Sequence, residues 1–228
     1  MAVITISREH GSDGAEIGRQ VAQSLGYDFV DKRTIEGVFR QYGLTKFNEL
    51  YTSAPGFWDI TNATNLLIVS MLNELMEALA YRGQVVILGR GGFASLSDYV
   101  DVLNVRIQAS FPVRVQRVMA REKLTDRQQT EERVREDDKA RAKFIQLFYN
   151  KRWDLETHFN LVIDTGTVSM DMAVNWIIEA ARALDQKDFG TEAVTTRKIE
   201  PDPVMLDAIA MVLANPLPPL AVDEEAVP

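Results

Sequence analysis

The sequence predicts an α/β fold of three layers, with a five-stranded parallel sheet covered by helices on both faces. Three observations predict it. Short apolar runs recur at residues 3–6, 27–31, 85–88, 105–109 and 161–164. Between them lie segments whose apolar residues repeat at helical spacing. Val85-Val86-Ile87-Leu88 is apolar throughout, the pattern of a strand buried on both faces. Strands alternating with helices form parallel sheets, because each crossover helix packs back onto the sheet it left.

In chain order, Val3, Ile4 and Ile6 form the first strand, and SREHGSDGAE follows as a loop with Gly11 and Gly14. Ile17, Val21, Ala22 and Leu25 then mark an amphipathic helix that ends near Gly26. After the second strand, Asp31 or Thr34 caps a helix running through Ile35, Val38 and Phe39 to about Tyr42. Residues 44–59 contain Pro55-Gly56 and lack a period, so they read as irregular or broken helix. A long helix runs from about Thr61 to Arg82, stopped by Gly83, with Leu66, Val69, Leu72, Leu75, Met76 and Leu79 on its apolar face. The third strand leads into Gly89-Arg90-Gly91-Gly92. Pro112 starts the helix after the fourth strand, and one long or broken charged helix spans about 125–148. Met172, Ile177, Ala180 and Leu184 belong to a closing helix after the fifth strand. From about Gly190 the composition shifts, with seven acidic residues against two basic and most of the prolines. The sequence therefore divides into an α/β domain over 1–190 and an acidic tail over 191–228, with one helix near Val204 to Leu213.

Composition bounds the function. The 228 residues are 46% hydrophobic and 25% charged, as in ordinary globular domains. No cysteine is present, which excludes disulfides, zinc-thiolate sites and thiol catalysis, and fits a cytoplasmic protein. No secretion signal and no apolar run of membrane-spanning length is seen. A net charge of -8 argues against nonspecific nucleic-acid or anionic-membrane binding.

The first loop carries the chemistry. A strand feeding a glycine-containing loop feeding a helix leaves backbone N–H groups at the positive end of that helix, which attracts phosphate. The spacing approaches Gly-x-x-x-x-Gly-Lys-Ser/Thr, but Ser7 stands at the first glycine and no lysine lies between Ser7 and Arg19.

ITISREHGSDGAEIG with LGYDFVDK, VVILGRGG, and REDDKARAKF before Trp153 and FNLVIDT resemble the cytidylate-kinase-like family, over roughly Met1 to Ala183. The resemblance implies a three-layer P-loop NTPase-type fold with a five-stranded parallel sheet and a helical lid arm. In the family's first loop Ser-Arg is followed by Gly-Ser-Gly-Gly and a basic or polar residue. Ser7, Arg8, Gly11, Ser12 and Gly14 match; Asp13 and Ala15 do not.

The resemblance makes Gly11, Ser12, Asp13, Gly14, Ala15 and Glu16 the nucleotide-binding stretch. A carboxylate at Asp13 would oppose a phosphate there by about 3 kcal/mol at ~5 Å and an effective dielectric of ~20. Arg8 is the stand-in cation, or else a surface ion pair to Glu9 or Glu16. Arg90, between flexible glycines at a strand's carboxyl end, would hold an acceptor phosphate, or cap a neighbouring helix. Asp31 would orient a sugar or a magnesium-bound water, or act as a helix N-cap. Arg141 is expected to close over phosphates from the lid, with Arg133 behind it, although Arg133, Asp137 and Arg141 could also form i, i+4 ion pairs. His10 and His158 stand too isolated to suggest metal binding or acid–base work.

The expected function is a nucleotide kinase transferring phosphate from a nucleoside triphosphate, with ATP and Mg2+, to a nucleoside monophosphate or similar small acceptor. The rival is a noncatalytic member that binds a nucleotide, another anion or a protein. Nucleotide substrates are the expected partners, with no nucleic acid and no membrane; a homo-oligomer is left open.

Overall fold

The computed structural model of the protein describes residues 2–44 and 62–215. Its strands are β1 (Val3–Arg8), β2 (Asp28–Val30), β3 (Val85–Leu88), β4 (Val102–Gln108) and β5 (Leu161–Asp164). They form a single all-parallel sheet in the order β2-β3-β1-β4-β5, the α/β sheet that the alternating pattern predicts. β1 lies at the centre and all six of its residues are buried. Its alternation sorts the core into two halves. Val3, Val85 and Ile87 face one apolar cluster, and Ile4, Ile6, Val86, Leu88, Leu103, Val105 and Ile107 face the other.

Helices α1 (Gly14–Leu25) and α7 (Met170–Asp185) close the second face, contributing Ile17, Val21, Ala173 and Ile177. The first face is covered by α2 (Lys32–Gln41), α3 (Ala63–Arg82), the short α4 (Gly92–Ser95) and part of α6 (Arg127–Tyr149). Helix α5 (Phe111–Glu122) packs on α6 through Val115, Val118 and Val134.

Local chemistry sets the boundaries. Asp31, Asn62, Asp126, Ser169 and Asp202 each accept a backbone N–H in the first turn of the helix they precede. The helix expected from Thr61 thus starts at Ala63, and α6 is one unbroken helix. The fourth strand begins three residues before the expected Val105. Asn104 disguises that start, because its carboxamide is spent within the sheet, accepting the Thr5 hydroxyl at 2.6 Å. The irregular stretch expected over 44–59 lies, beyond Leu44, outside the described residues.

The chain past 190 returns to the first face. Asp101 accepts both the N–H and the hydroxyl of Thr196, at 2.8 and 2.7 Å. Helix α8 (Pro203–Ala214) then buries Met205, Ala208 and Ile209 in the core beside α2 and α3. The proline-containing end of the expected tail, 216–228, lies outside the described residues. Among the described residues no helix is long and apolar enough to cross a membrane.

Ile209 is fully buried, so Ile209→Ala should destabilise the whole protein by ~2–5 kcal/mol. Urea unfolding measures it. A loss below ~0.5 kcal/mol, the ordinary surface value, would mean that α8 is an appendage.

Candidate functional site

The site lies at the carboxyl end of the sheet, where β1 leaves its neighbours. Glu9 N–H continues the ladder to Ile107 O at 3.1 Å, and the chain then turns. Ser12, fully buried, closes the turn by donating its hydroxyl and N–H to Glu9 O at 2.8 and 3.2 Å. Gly11 has φ +80°, and a Cβ there would lie 2.7 Å from Arg114 O, so only glycine fits.

Asp13 occupies the N-cap position of α1 but adopts left-handed geometry at φ 62°, and its side chain caps nothing. Its carboxylate turns instead to α5, 3.1 Å from Arg117 Nε and 3.8 Å from Arg121 Nη1. The first turn of α1 is left without a side-chain cap, with its dipole directed outward. It borders a cavity of about 290 Å³ whose walls include Arg8, Gly14, Ala15, Glu16, Arg121 and Arg141.

A narrow crevice of about 20 Å³ adjoins it, lined by Arg8, Arg90, Arg141, Phe93, Ile145 and Trp153 among others. Gly89, Arg90 and Gly91 are successive left-handed residues at φ 71°, 55° and 77°. A Cβ at Gly89 would run into Arg8 Nη1, so a side chain there would displace that guanidinium. Arg8 and Arg141 border both the cavity and the crevice.

Behind the loop stands a layer of buried arginines. Glu9 lies 3.2 Å from Arg106 Nη2 and 3.3 Å from Arg114 Nε, and it accepts Ala109 N–H at 3.2 Å. Arg106 stacks on Trp153 at 4.6 Å and donates to the Trp153 carbonyl at 2.7 Å. The indole of Trp153 in turn donates to Ser7 Oγ at 2.7 Å. Burial pushes the Arg106 guanidinium's pKa down, and the Glu9 carboxylate beside it pushes back. Arg117 donates to the hydroxyl and carbonyl of Thr165 at 2.9 and 2.7 Å, and that hydroxyl donates to Ser12 O at 2.9 Å.

The structure thus brings Arg8, Arg90 and Arg141 together at the crevice, and Arg8 and Arg141 also reach the cavity beside the loop formed by Gly11, Ser12, Asp13, Gly14, Ala15 and Glu16. Arg8 is 7% exposed, and Glu9 and Glu16 are engaged by other cations, so it is no surface ion pair to either. Arg133 is not brought in: it grips Glu122 on α5 at 2.6 and 3.3 Å and borders neither space. Asp31 caps α2, accepting Arg33 and Thr34 N–H at 2.9 and 3.2 Å, and likewise borders neither.

From the sequence alone, Glu9, Arg106, Arg114, Arg117, Arg121 and Trp153 receive no site role. One signal was available, since Arg114, Arg117 and Arg121 follow i, i+3, i+7 spacing and share a helix face.

The donor set among the described residues gathers no ready-made magnesium site. Among the described residues no group of three or more His, Cys, Asp or Glu could hold a metal ion. The loop carboxylates Glu9 and Asp13 are already engaged by arginines.

A model of the cytidylate kinase-like family matches residues 3–167. A cytidylate kinase from Pyrobaculum neutrophilum is 29% identical over 174 residues, spanning 76% of this chain and 89% of that protein. A uronate isomerase from Corynebacterium glutamicum is 27% identical over 126 residues, spanning 53% of this chain and only 24% of its own length. Among solved structures, an uncharacterized protein from Eubacterium ventriosum superposes with a TM-score of 0.63 at 21% identity. That match covers 82% of this chain and 100% of the other.

Gly89→Ala adds a methyl where Arg8 lies and where φ is positive. It should weaken pyrophosphate binding by ~1–3 kcal/mol, the scale of a lost charge-assisted contact, while unfolding stays cooperative. Calorimetry on both proteins measures it; equal affinities would mean that Arg8 does not meet the anion.

Proposed function

Because the chain belongs to the cytidylate kinase-like family, we propose that it is a nucleotide kinase passing a phosphoryl group from a nucleoside triphosphate to a nucleoside monophosphate. The observation that carries this reading is the position of Arg8 and Arg141, which border both the cavity at the start of α1 and the crevice that holds Arg90. Transfer of a phosphoryl group needs positioning and charge stabilisation more than a general base.

In this reading the triphosphate lies against the first turn of α1, and Arg90 takes the acceptor's phosphate. An acceptor phosphate oxygen forms a bond to the γ-phosphorus as the bond to the β,γ-bridging oxygen breaks. Two nucleoside diphosphates result. Arg8 and Arg141 meet the charge that spreads over the transferred group, a role suited to guanidinium because it is planar and always protonated. Magnesium belongs to the triphosphate in this scheme and offsets its charge.

A second reading is a noncatalytic member that binds a nucleotide, another anion or a protein. The observations that favour it are the missing lysine between Ser7 and Arg19, and Asp13 and Ala15 in place of the family's residues. Calorimetry with ATP, CTP, AMP and CMP, with and without magnesium, together with a phosphate-transfer assay, separates the two. Binding without transfer would favour the second reading.

Two substitutions test the assignments. Arg90→Ala should weaken monophosphate binding by ~2 kcal/mol, as expected for removal of a charge-assisted pair, with little effect on folding. Unaltered affinity, in a wild type that does bind, would sink the acceptor role. Asp13→Gly relieves a left-handed aspartate and releases Arg121, which borders the cavity. Triphosphate affinity should rise by ~1–3 kcal/mol, with the gain shrinking in high salt. Loss of affinity would instead identify the aspartate as a ligand contact.

A further inference from the structure

His10 looks isolated in the sequence, yet both its ring and its backbone are tethered to other elements. Its ring is 5% exposed and its Nδ1 directly contacts Oδ2 of Asp137, which is itself 2% exposed on α6. The other ring nitrogen, Nε2, is buried with no hydrogen-bond partner among the described residues. The backbone of His10 is held as well. Its N–H donates to Asp138 Oδ1 at 2.9 Å, and its carbonyl accepts Arg114 Nη1 at 2.9 Å. The same Arg114 nitrogen donates to Asp138 Oδ2 at 2.7 Å, while Arg141 lies 3.3 Å from Asp138 Oδ1. Two consecutive carboxylates of one helix therefore hold His10 on the loop and Arg141 at the junction of cavity and crevice.

We propose that Asp137 is a positioning residue which acts through His10, locking the anion-binding loop onto α6. The loop lacks the lysine that would fold it around a phosphate, so α6 supplies the constraint that fixes its shape in advance. The inference rests on the kinase reading for its consequence, pre-organised phosphate binding, but the lock is a property of the protein alone. A buried ring with one polar anchor loses its position when that anchor loses its charge. The loop should then sample other conformations, and binding must reorder it.

The test uses Asp137→Asn, which keeps side-chain shape, His10→Phe, which keeps a ring, and the double variant. Two readouts apply to the full chain: amide hydrogen exchange, and calorimetric titration with pyrophosphate and with ATP. The expected result is exchange of the 9–16 amides about tenfold faster or more in each single variant, with the sheet amides unchanged. Affinity for both probes should fall about tenfold or more, and the double variant should bind no worse than the weaker single one, because the two residues act as a unit. Loop amides that exchange at the wild-type rate overturn the proposal, as do multiplicative losses in the double variant. If His10→Phe does not fold, Asp137→Asn alone decides by its exchange pattern. A wild type that binds neither probe overturns the kinase reading, and the lock then stands or falls on exchange alone.

Discussion

A loop that carries Glu9, Asp13 and Glu16 could receive an anion only if other groups offset that negative charge. Everything around this loop follows from that constraint. Glu9 is taken by Arg106 and Arg114, Asp13 by Arg117 and Arg121, and Glu16 by Arg19. Four of these five arginines come from β4 and α5, the strand beside β1 and the helix that follows it. Arg106 and Arg114 are buried against Glu9, and removing one member of such a pair leaves the other desolvated at a cost of about 3–5 kcal/mol. The Asp13 and Glu16 pairs are partly exposed and weaker. Loop and arginines therefore specify one another. Arg106, sandwiched against Trp153 and donating to its carbonyl, extends the same logic to the chain after α6.

With Glu9, Asp13 and Glu16 each paired, the charged side chains common to the cavity and the crevice are Arg8 and Arg141. Arg8, Arg90 and Arg141 converge at the crevice from three separate segments: the end of β1, the left-handed turn after β3, and α6. None of them could be placed by a neighbour in sequence. The parallel sheet places the first two, since β1 and β3 pair in register from Val3↔Val85 to Ile6↔Leu88 and so end side by side. A parallel sheet gathers its strand ends at one edge, which is why ligands of open α/β sheets lie there.

That geometry also explains what the sequence could and could not convey. The strands, the helix periods and the glycine loop are local signals, and they were legible. So was Arg90, because glycines on both sides of an arginine after a buried strand are a local oddity. The cap at Asp31 was legible as one of two meanings, and the distances to Arg33 and Thr34 N–H show the capping one. The arginine layer was not legible, since each pair joins residues about a hundred positions apart, as with Glu9 and Arg106. The tether of His10 was hidden for the same reason, its partner Asp137 lying on α6. Arg133 fell on the expected helix face, but Glu122 on the preceding helix claims it. The helix of α8 was legible from its short apolar run, but its acidic and proline-rich surroundings hid how firmly it docks, with three of its side chains buried in the core.

Backbone strain points to the same edge of the sheet. Five non-glycine residues among those described have positive φ: Asp13, Gln84, Arg90, Lys123 and Asn150. Lys123 and Asn150 end helices, where a left-handed residue satisfies the last carbonyls and is ordinary. Gln84 follows Gly83 in the turn from α3 into β3. Asp13 and Arg90 differ, because each lies just ahead of a helix, where extended geometry would normally serve. Such residues cost on the order of 1–2 kcal/mol each and persist only when their surroundings over-determine them. Here the surroundings are identifiable: Arg117 and Arg121 grip Asp13, while Gly89 and Gly91 are pressed by Arg8 and Tyr149 on either side of Arg90. Arg8 lies against both turns, its stem beside Gly14 and its guanidinium beside Gly89. Relaxing either would move the walls of the cavity or the crevice, so the strain is held where the site needs a fixed shape.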